Sequence, residues 1–244
     1  RALARLATVI VAVVPARKGS QRIPRKNMKR LAGSPLIVWT LEAATSASLV
    51  QRIIVTSDDP DLMALAQLYA KVETIWREPA LSGDDVHDYP VVMDALYRSS
   101  IQLANEDVVL FLRPTAPLRK PEEINHVAGL LMHQQNADSV RSVIRMKAHP
   151  RKTYLWSEHM LIRYTADHAA NAPTQALEPV CQPAGFIDAV RWRVLRDGHD
   201  MEGTVIRPWL SPVERSIDLD TPEDWEAAEQ LCRAHNYGPG RIQP

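Results

Sequence analysis

A loop rich in cations follows directly on the first apolar run of the chain. Residues 15–30 read PARKGSQRIPRKNMKR, and no acidic residue occurs before Glu42. Gly19 and Ser20 stand at the turn, where backbone N–H groups can approach an anion closely. Cationic side chains beside such a turn are suited to binding the phosphates of a nucleotide. The cations of this loop are Arg17, Lys18, Arg22, Arg25, Lys26, Lys29 and Arg30.

A pair of carboxylates near the end of the chain is the second candidate site. Asp218 and Asp220 are two residues apart, a spacing that would place both on one face of a β-strand. Two such carboxylates can share a hard cation, and we expect them to bind Mg²⁺. Alternatively, Asp220 or Thr221 is the N-cap of a helix that begins at Pro222. Capping leaves Asp218 unexplained, and the two roles are compatible.

An alternation of strands and helices must position these residues. Short apolar runs predict strands at residues 9–14, 52–56, 72–76, 107–112 and 139–145. Helical patterns between them predict helices at residues 34–46, 60–69, 89–103 and 122–135, the first with Ser34 as cap and Pro35 as first residue. This rhythm predicts an α/β fold of three layers, with a mainly parallel sheet covered by helices on both faces. Ligands bind at the carboxyl ends of such strands, which selects the loops that start at Pro15, Ser57, Arg77 and Arg113.

The rhythm changes after Met146. Residues 147–183 contain scattered prolines and aromatic residues, and they are too long for an idle loop. We interpret them as an inserted segment that covers the site or contacts a partner subunit, within one domain that spans residues 1–244. Two more strands are predicted at residues 184–190 and 203–207, and a last helix at residues 221–234.

Composition narrows the classes of function. The 29 basic and 29 acidic residues cancel, so a general attraction to nucleic acid or to an anionic membrane is not expected. The basic loop taken alone also fits a solvated surface or a nucleic-acid patch, but its place after the first strand favours phosphate binding. Cys181 and Cys232 form no disulfide framework and have no metal-ligand spacing, which predicts a cytoplasmic protein. No apolar run is long enough to span a bilayer.

Four motifs resemble those of the acylneuraminate cytidylyltransferases, the CMP-sialic acid synthetase family. They occur in the order found in that family, and the resemblance runs from about residue 9 to residue 231. The motifs are PARKGSQRIPRKN at residues 15–27, REPALSGD at 77–84, RPTAPLR at 113–119 and SIDLDTPED at 216–224.

The resemblance implies an activity, a fold and a set of site residues. CTP would react with a nonulosonic acid, a nine-carbon keto sugar acid, to give the CMP-sugar and pyrophosphate on a Rossmann-like nucleotidyltransferase fold. Arg17, Lys26, Asp218 and Asp220 would be catalytic, the two carboxylates by holding Mg²⁺. The residues implied to bind CTP are Arg17, Gly19, Ser20, Arg22, Lys26, Asn27, Arg77, Ser82, Asp84, His87 and Asp88. The residues implied to bind the sugar acid are Arg113, Thr115, Arg119, Lys152, Gln175 and Gln182.

Departures from the family pattern fall in the acceptor half. Thr174 stands where the family often has Arg, Ala184 where it has Asn, and Asp188 where it has Tyr. The strings SVRSV at residues 139–143 and NAP at 171–173 resemble the branch thought to act on legionaminic-type bacterial sugars. The family is typically dimeric, which implies a homodimer with its contact in residues 147–183.

Two alternatives remain open. One is a cytidylyltransferase for another ulosonic acid, such as Kdo. Relatives that act on Kdo carry an acidic pair after the fourth strand, where this chain has Arg113, Pro114 and Thr115, and this argues against Kdo. The other alternative is a non-catalytic binder of nucleotide or sugar, which the acceptor-half departures favour and the retention of both Asp218 and Asp220 opposes.

Overall fold

The computed structural model describes residues 8–165, 171–198 and 200–240 of the chain. Its centre is a seven-stranded sheet, and two pairs of short strands lie outside it. Along the chain, the strands are β1 (Ile10–Pro15), β2 (Arg30–Leu31), β3 (Ser34–Pro35), β4 (Arg52–Ser57), β5 (Val72–Trp76), β6 (Val108–Phe111), β7 (Ser139–Arg145), β8 (Tyr154–Ser157), β9 (Met160–Arg163), β10 (Cys181–Arg191) and β11 (Ile206–Leu210). The helices are α1 (Leu36–Ser46), α2 (Pro60–Ala66), α3 (Asp88–Arg98), α4 (Pro121–His133), α5 (Trp192–Gly198) and α6 (Pro222–His235).

The main sheet is mostly parallel, as the sequence predicts. Its strand order is β11-β7-β10-β6-β1-β4-β5. The central strand β1 pairs in parallel with β4 and β6, β4 with β5, and β7 with β11. Among the described strands of this sheet, only β10 runs antiparallel to its neighbours, which are β6 and β7.

Alternate residues of β1 face two different layers of helices. Ile10, Ala12 and Val14 pack in one core with residues of α1, α2 and α4. Val11 and Val13 pack in a second core with residues of α3 and α5. Small and β-branched residues suit a strand that is covered on both faces. The predicted arrangement of three layers, helix, sheet and helix, is confirmed.

The site lies where the strand order reverses. The chain leaves β1 toward β4 and β5, then crosses to the other side of β1 as β6. The loops that follow β1 and β6 therefore diverge and leave a crevice at the carboxyl ends of the two strands.

Several predicted boundaries are wrong. Ser34 and Pro35 form β3, which pairs with β2, so α1 begins one residue later at Leu36. The second helix ends at Ala66 rather than at residue 69, and α3 ends at Arg98 rather than at residue 103. Apolar spacing continues into the loops that pack against the core, so it marks the ends of a helix poorly.

The second half of the chain differs more. The strand predicted at residues 203–207 is β11, which begins at Ile206 because the carboxylate of Asp138 accepts hydrogen bonds from the N–H groups of Thr204 and Val205. The helix α5, which directly follows β10, was not predicted, since a helix of this length carries little periodic signal.

The inserted segment contains a hairpin that the sequence did not predict. Strands β8 and β9 pair antiparallel in a sheet of their own. The returning strand predicted at residues 184–190 is β10, which already begins at Cys181. Within the described residues, no helix is long and apolar enough to cross a membrane. The large apolar side chains that the hairpin exposes are Tyr154, Leu155, Trp156, Met160, Leu161 and Ile162.

Candidate active site

A cleft of about 320 Å³ opens at the carboxyl ends of the central strands. It is bordered by the loops after β1, β5 and β6 and by the segment before α6. The structure thus gathers residues from all four motifs at one place. The predicted site residues that line the cleft are Arg17, Gly19, Ser20, Lys26, Asn27, Arg77, Asp84, Asp88, Arg113, Thr115, Asp218 and Asp220.

The first loop is tied down by local hydrogen bonds. The Asn27 side-chain amide donates to the carbonyl oxygen of Arg17 at 2.9 Å, and the Lys18 N–H donates to Oδ1 of Asp58 at 2.6 Å. Arg25 adopts a left-handed backbone conformation with φ 48° and starts a one-turn 3-10 helix. These contacts fix the turn around Gly19 and Ser20 that faces the cleft.

The structure reduces the set of cationic side chains that can face a bound phosphate from seven in this loop to two. Of the cations at residues 17–30, only Arg17 and Lys26 line the cleft. Arg25 pairs with the carboxylates of Asp59 and Asp61 of the α2 segment instead. Sequence reasoning missed these pairs because the acidic partners lie more than thirty residues away.

Arg17 joins the two sides of the cleft. Its guanidinium forms an ion pair with Asp84 and donates to the carbonyl oxygen of Ser82 at 3.3 Å. The side-chain amide of Gln21 also donates to Asp84. The hydrogen bonds from Arg17 and then Gln21 lower the pKa of the Asp84 carboxyl. The loop after β1 is thereby linked to the loop after β5.

Lys26 makes the corresponding link to the segment before α6. Its Nζ donates to the carbonyl oxygen of Leu219 at 2.8 Å and to Oδ1 of Asp220 at 3.0 Å. Arg22 approaches the other oxygen of Asp220 at 3.7 Å. Arg22 does not line the cleft, and its largely exposed side chain lies at the rim.

Asp218 and Asp220 do not lie on a strand, contrary to prediction. They belong to an irregular segment before α6, and Thr221 is the N-cap, with its hydroxyl accepting from the N–H of Asp224 at 3.2 Å. Both carboxylates nevertheless line the same cleft. Asp218 is exposed, and no described residue forms an ion pair with its carboxylate.

The two carboxylates fit a Mg²⁺ ion that completes its shell elsewhere. No group of three or more His, Cys, Asp or Glu side chains within the described residues could hold a metal ion. Mg²⁺ is commonly bound by one or two carboxylates together with substrate phosphates and water. Asp218 and Asp220, beside a cleft that Arg17 and Lys26 also line, match that donor set.

The loop after β5 supplies the apolar side of the cleft. Leu81 and Val86 line it together with Val91 of α3, and a flat base fits such a surface. Arg77 lies beneath them and is buried, with Nη2 donating to the carbonyl oxygen of Thr56 at 2.9 Å. Burial lowers the pKa of Arg77 to about 10, so the side chain stays cationic at neutral pH.

Arg113 stands between the cleft and a neighbouring pocket of about 410 Å³. Its guanidinium lies 4.4 Å from the ring centroid of Phe111, and its Nη2 donates to Asp88 at 2.7 Å. Burial lowers the pKa of Arg113, but the carboxylates of Asp88 and Asp188 outweigh burial and raise it overall. Arg113 and Asp218 line both cavities, so the two cavities are adjacent.

Comparison with known proteins agrees with this geometry. A family model described as cytidylyltransferase matches residues 11–169. The CMP-N,N'-diacetyllegionaminic acid synthase of Legionella pneumophila is 30% identical over 233 residues, which cover 91% of this chain and 95% of that protein. The chain belongs to the cytidylyltransferase family.

Two further comparisons place the chain among related enzymes. The pseudaminic acid cytidylyltransferase of Campylobacter jejuni is 34% identical over 231 residues, covering 92% of this chain and 96% of that protein. The chain spans about half the length of several other curated relatives. A solved structure of CMP:2-keto-3-deoxy-manno-octonic acid synthetase complexed with CTP has the same fold, with a TM-score of 0.68 and 16% identity over 93% of this chain and 99% of that one. This cytidylyltransferase is therefore a nucleotidyltransferase in both sequence family and fold.

Arg119 of this cytidylyltransferase is buried and lines neither cavity, although the sequence predicts that it binds the sugar acid. The side chain is 1% exposed. Its guanidinium donates to Phe186 O at 3.0 Å, Thr40 Oγ1 at 3.0 Å and Arg113 O at 2.8 Å. Burial lowers the pKa of Arg119 to about 9. Arg119 thus ties the loop after β6 to β10 and α1.

Five other predicted residues lie outside the cleft. The Ser82 hydroxyl donates to Glu78 O, and His87, the residue before α3, lines a third pocket that shares Asp88 and Arg113 with the cleft. Gln182 lines the neighbouring pocket. Lys152 and Gln175 line neither cavity, and Lys152 Nζ donates to Thr174 Oγ1 at 3.1 Å. Within one chain, the inserted segment therefore brings these two side chains to neither cavity.

The sequence analysis missed Arg141. This residue of β7 lines the neighbouring pocket with Arg113 because β7 and β6 flank the antiparallel strand β10. The string SVRSV contains it, but nothing in the sequence alone predicts that β10 inserts between two parallel strands. The signal is therefore visible only in the sheet topology.

Proposed function

We propose that this enzyme transfers CMP from CTP to a nonulosonic, sialic-acid-like sugar acid and releases pyrophosphate, with Mg²⁺ as cofactor. One observation carries the proposal. The cleft joins two first-loop cations to the carboxylates of Asp218 and Asp220, and it adjoins a second, cation-lined pocket large enough for an acceptor.

In the proposed reaction, a hydroxyl of the sugar acid attacks the α-phosphorus of CTP. An O–P bond forms, the bond from the α-phosphorus to the bridging oxygen breaks with its electron pair leaving on pyrophosphate, and the hydroxyl proton passes to water. Such a transfer needs alignment and charge neutralisation, with little covalent work from the protein. Arg17 and Lys26 neutralise charge on the phosphates, while Gly19, Ser20 and Asn27 shape the turn beneath them.

Asp218 and Asp220 would hold the Mg²⁺. When bound, the ion neutralises phosphate charge and lowers the pKa of an oxygen that it contacts. The hydrogen bond from Lys26 to Asp220 holds the ammonium group beside the carboxylate, so that Lys26 would neutralise phosphate charge next to the metal that Asp220 would hold. None of the residues that line the cleft is a histidine, which fits a reaction with no histidine base.

Pyrophosphate release from CTP and Mg²⁺ over a panel of sugar acids tests the proposal. The panel holds N-acetylneuraminate, Kdn, legionaminate, pseudaminate and Kdo, and Asp218→Ala serves as the control. Release with one nonulosonate that the variant abolishes would support the proposal. Release with Kdo alone would select the Kdo-type alternative, and CTP binding without turnover on any acceptor would select the non-catalytic binder.

Two finer proposals accompany the reaction. We expect a homodimer that buries the exposed apolar hairpin of β8 and β9, since contiguous apolar patches on a soluble protein commonly mark interaction sites. We also expect the enzyme to act in the cytoplasm, where reduced thiols are stable. Both cysteines, Cys181 and Cys232, are free in the structure, which is consistent with that compartment.

A further inference from the structure

A buried carboxylate contacts Arg113, a side chain that lines both the cleft and the neighbouring pocket. Asp188 of β10 is 5% exposed and stands in register with Phe111 of β6 and Arg141 of β7. Its Oδ1 accepts hydrogen bonds from the N–H of Ser142 at 3.1 Å and from the Ser142 hydroxyl at 3.2 Å. Asp188 is one of the three residues that depart from the family pattern, and Ser142 donates two hydrogen bonds to its carboxylate.

An irregularity in β10 creates this position. The pairing of β10 with β7 shifts between Pro183 and Asp188, and Gly185 within the shift has φ +61°. The Ser142 hydroxyl accepts from the N–H groups of Phe186 and Ile187, both at 3.0 Å, and so satisfies backbone donors that the irregular pairing would leave free. The backbone around Asp188 is therefore fixed by hydrogen bonds to Ser142, in addition to the ion pairs of the Asp188 carboxylate.

Two guanidinium groups share the carboxylate of Asp188. Nη1 of Arg113 lies 3.4 Å from Oδ2, and Nε of Arg141 lies 3.5 Å from Oδ1. The outer sides of the two arginines meet exposed carboxylates, Asp88 for Arg113 and Glu202 for Arg141. The side chains of Asp88 and Glu202 are half exposed, so water screens these ion pairs and an incoming anion can compete with them.

Arg141 is the less completely bound of the two arginines. Its Nη1 pairs with Glu202 at 2.9 Å, whereas its buried Nε makes only the long ion pair with Asp188 and no hydrogen bond to a described residue. A guanidinium carries five N–H donors, and a carboxylate can take two of them side by side. The side chain borders the neighbouring pocket, which Gln182 and Ser216 also line.

We propose that Arg141 binds the carboxylate of the acceptor sugar acid in the neighbouring pocket, and that Asp188 is a positioning residue that holds Arg141 and Arg113 side by side for this purpose. This inference rests on the proposed function, because it assigns the acceptor to the pocket next to the cleft. Asp188 repels a carboxylate directly, but it is buried behind the arginines and offsets the repulsion between them. On this proposal, the change from the family's Tyr to Asp188 serves acceptor recognition and does not indicate that acceptor binding has been lost.

The test compares Arg141→Gln with Arg145→Gln, a matched control on the same strand that lines neither cavity. The acceptor is the most active sugar acid of the panel above, and its methyl ester serves as a second substrate without the negative charge. For Arg141→Gln we expect KM for the acid to rise roughly 10- to 100-fold, which is the effect of losing a charge-assisted hydrogen bond. We expect kcat and the Kd for CTP to change little, and the preference for acid over ester to disappear. Arg145→Gln should match the wild type.

Asp188→Asn separates positioning from a purely structural role. If Asp188 acts through Arg141, its replacement raises KM for the acid in the wild type but adds little in the Arg141→Gln background. Should Asp188→Asn fail to fold, Arg141→Gln and Arg141→Lys carry the test, with Lys expected to restore part of the affinity because it keeps the charge but not the paired donors.

The outcomes distinguish this inference from the proposed function. A wild-type enzyme that releases no pyrophosphate with any acid of the panel overturns both. An active wild type whose KM for the acid is unchanged in Arg141→Gln overturns the inference alone. An equal rise in KM for the acid and Kd for CTP also overturns it, since Arg141 would then maintain the structure of the whole site and not bind the acid carboxylate.

Discussion

Nζ of Lys26 lies 3.0 Å from Oδ1 of Asp220, although the two residues are 194 positions apart in the chain. The contact joins the first motif of the sequence to the last and closes one side of the cleft. It also sets a cation beside a carboxylate that we expect to bind Mg²⁺, so the proposed triphosphate and metal sites meet at this pair.

Replacement of Lys26 by Met should lower turnover strongly. The substitution keeps most of the side-chain length but removes the charge that faces the phosphates, and loss of one such group typically costs roughly 10²- to 10³-fold in kcat. Pyrophosphate release measures the effect. Lys29→Met is the matched control, because Lys29 lies over the ring of Trp225 and should leave activity near the wild-type value. Equal effects of the two substitutions would contradict the role of Lys26.

Replacement of Asp218 by Asn should raise the Mg²⁺ concentration needed for half-maximal activity. The amide keeps the shape of the side chain but removes the charge that a hard cation requires. A titration of Mg²⁺ at saturating CTP measures this, with Asp94→Asn on α3 as control because Asp94 does not line the cleft. An unchanged Mg²⁺ requirement would remove Asp218 from the metal site.

Replacement of Arg119 by Met should lower the free energy of unfolding and leave KM for the sugar acid unchanged in the folded protein. Three acceptors, Phe186 O, Thr40 Oγ1 and Arg113 O, would each lose a buried donor. We expect the free energy of unfolding to fall by about 3 kcal/mol. Urea denaturation measures it, with the surface variant Arg196→Met as control at under about 0.5 kcal/mol. A stable variant with a raised KM for the sugar acid would restore the original assignment to substrate binding.

Asp138 should make stability depend on pH in the acid range. Hydrogen bonds to its carboxylate, first from the N–H of Val205, lower its pKa to about 2. A carboxyl whose folded pKa lies below its unfolded value of about 3.9 stabilises the native state above that value and loses this contribution as the pH falls toward the folded pKa. The contribution at neutral pH is about 2 kcal/mol.

Asp138→Asn tests this pH dependence. The variant should be less stable than the wild type at neutral pH, and the difference should shrink as the pH falls below about 4. Urea denaturation over a pH series measures both proteins, with Asp61→Asn as the exposed control. A difference that stays constant over the whole series would show that the charge of Asp138 is not the cause.

Replacement of Leu161 by Glu should disrupt a homodimer without harming the fold of a chain. Leu161 lies on β9 and is 68% exposed, so a charge there has no cost in the isolated chain but a large one within an apolar interface. Sedimentation of wild type and variant measures the oligomeric state. Leu68→Glu, at an exposed leucine outside the hairpin, is the control. A wild-type protein that is monomeric at all concentrations would contradict the predicted dimer.

The order of elements and the identity of the site loops could be predicted from the sequence. The apolar run at residues 52–56 predicted β4 to within one residue, since a strand buried on both faces needs a continuous apolar stretch. The motifs that begin at Pro15, Arg77 and Arg113 proved to line one cleft, because the carboxyl ends of parallel strands meet at one edge of a sheet. Lys152 and Gln175 remain predictions, as neither borders the described cavities.

The sequence by itself determined the family, the alternation of strands and helices, and the chemistry available at the carboxyl edge of the sheet. These follow from local patterns, namely periodicity, motif spacing and residue type. Only the tertiary structure decided which charges are free to act. It buried Arg119 among backbone carbonyls, paired Arg25 with the α2 segment, and brought Asp188 between Arg113 and Arg141. The reason is physical: the properties of a charged side chain depend on burial and on partners within a few ångströms, and those partners come from distant parts of the chain.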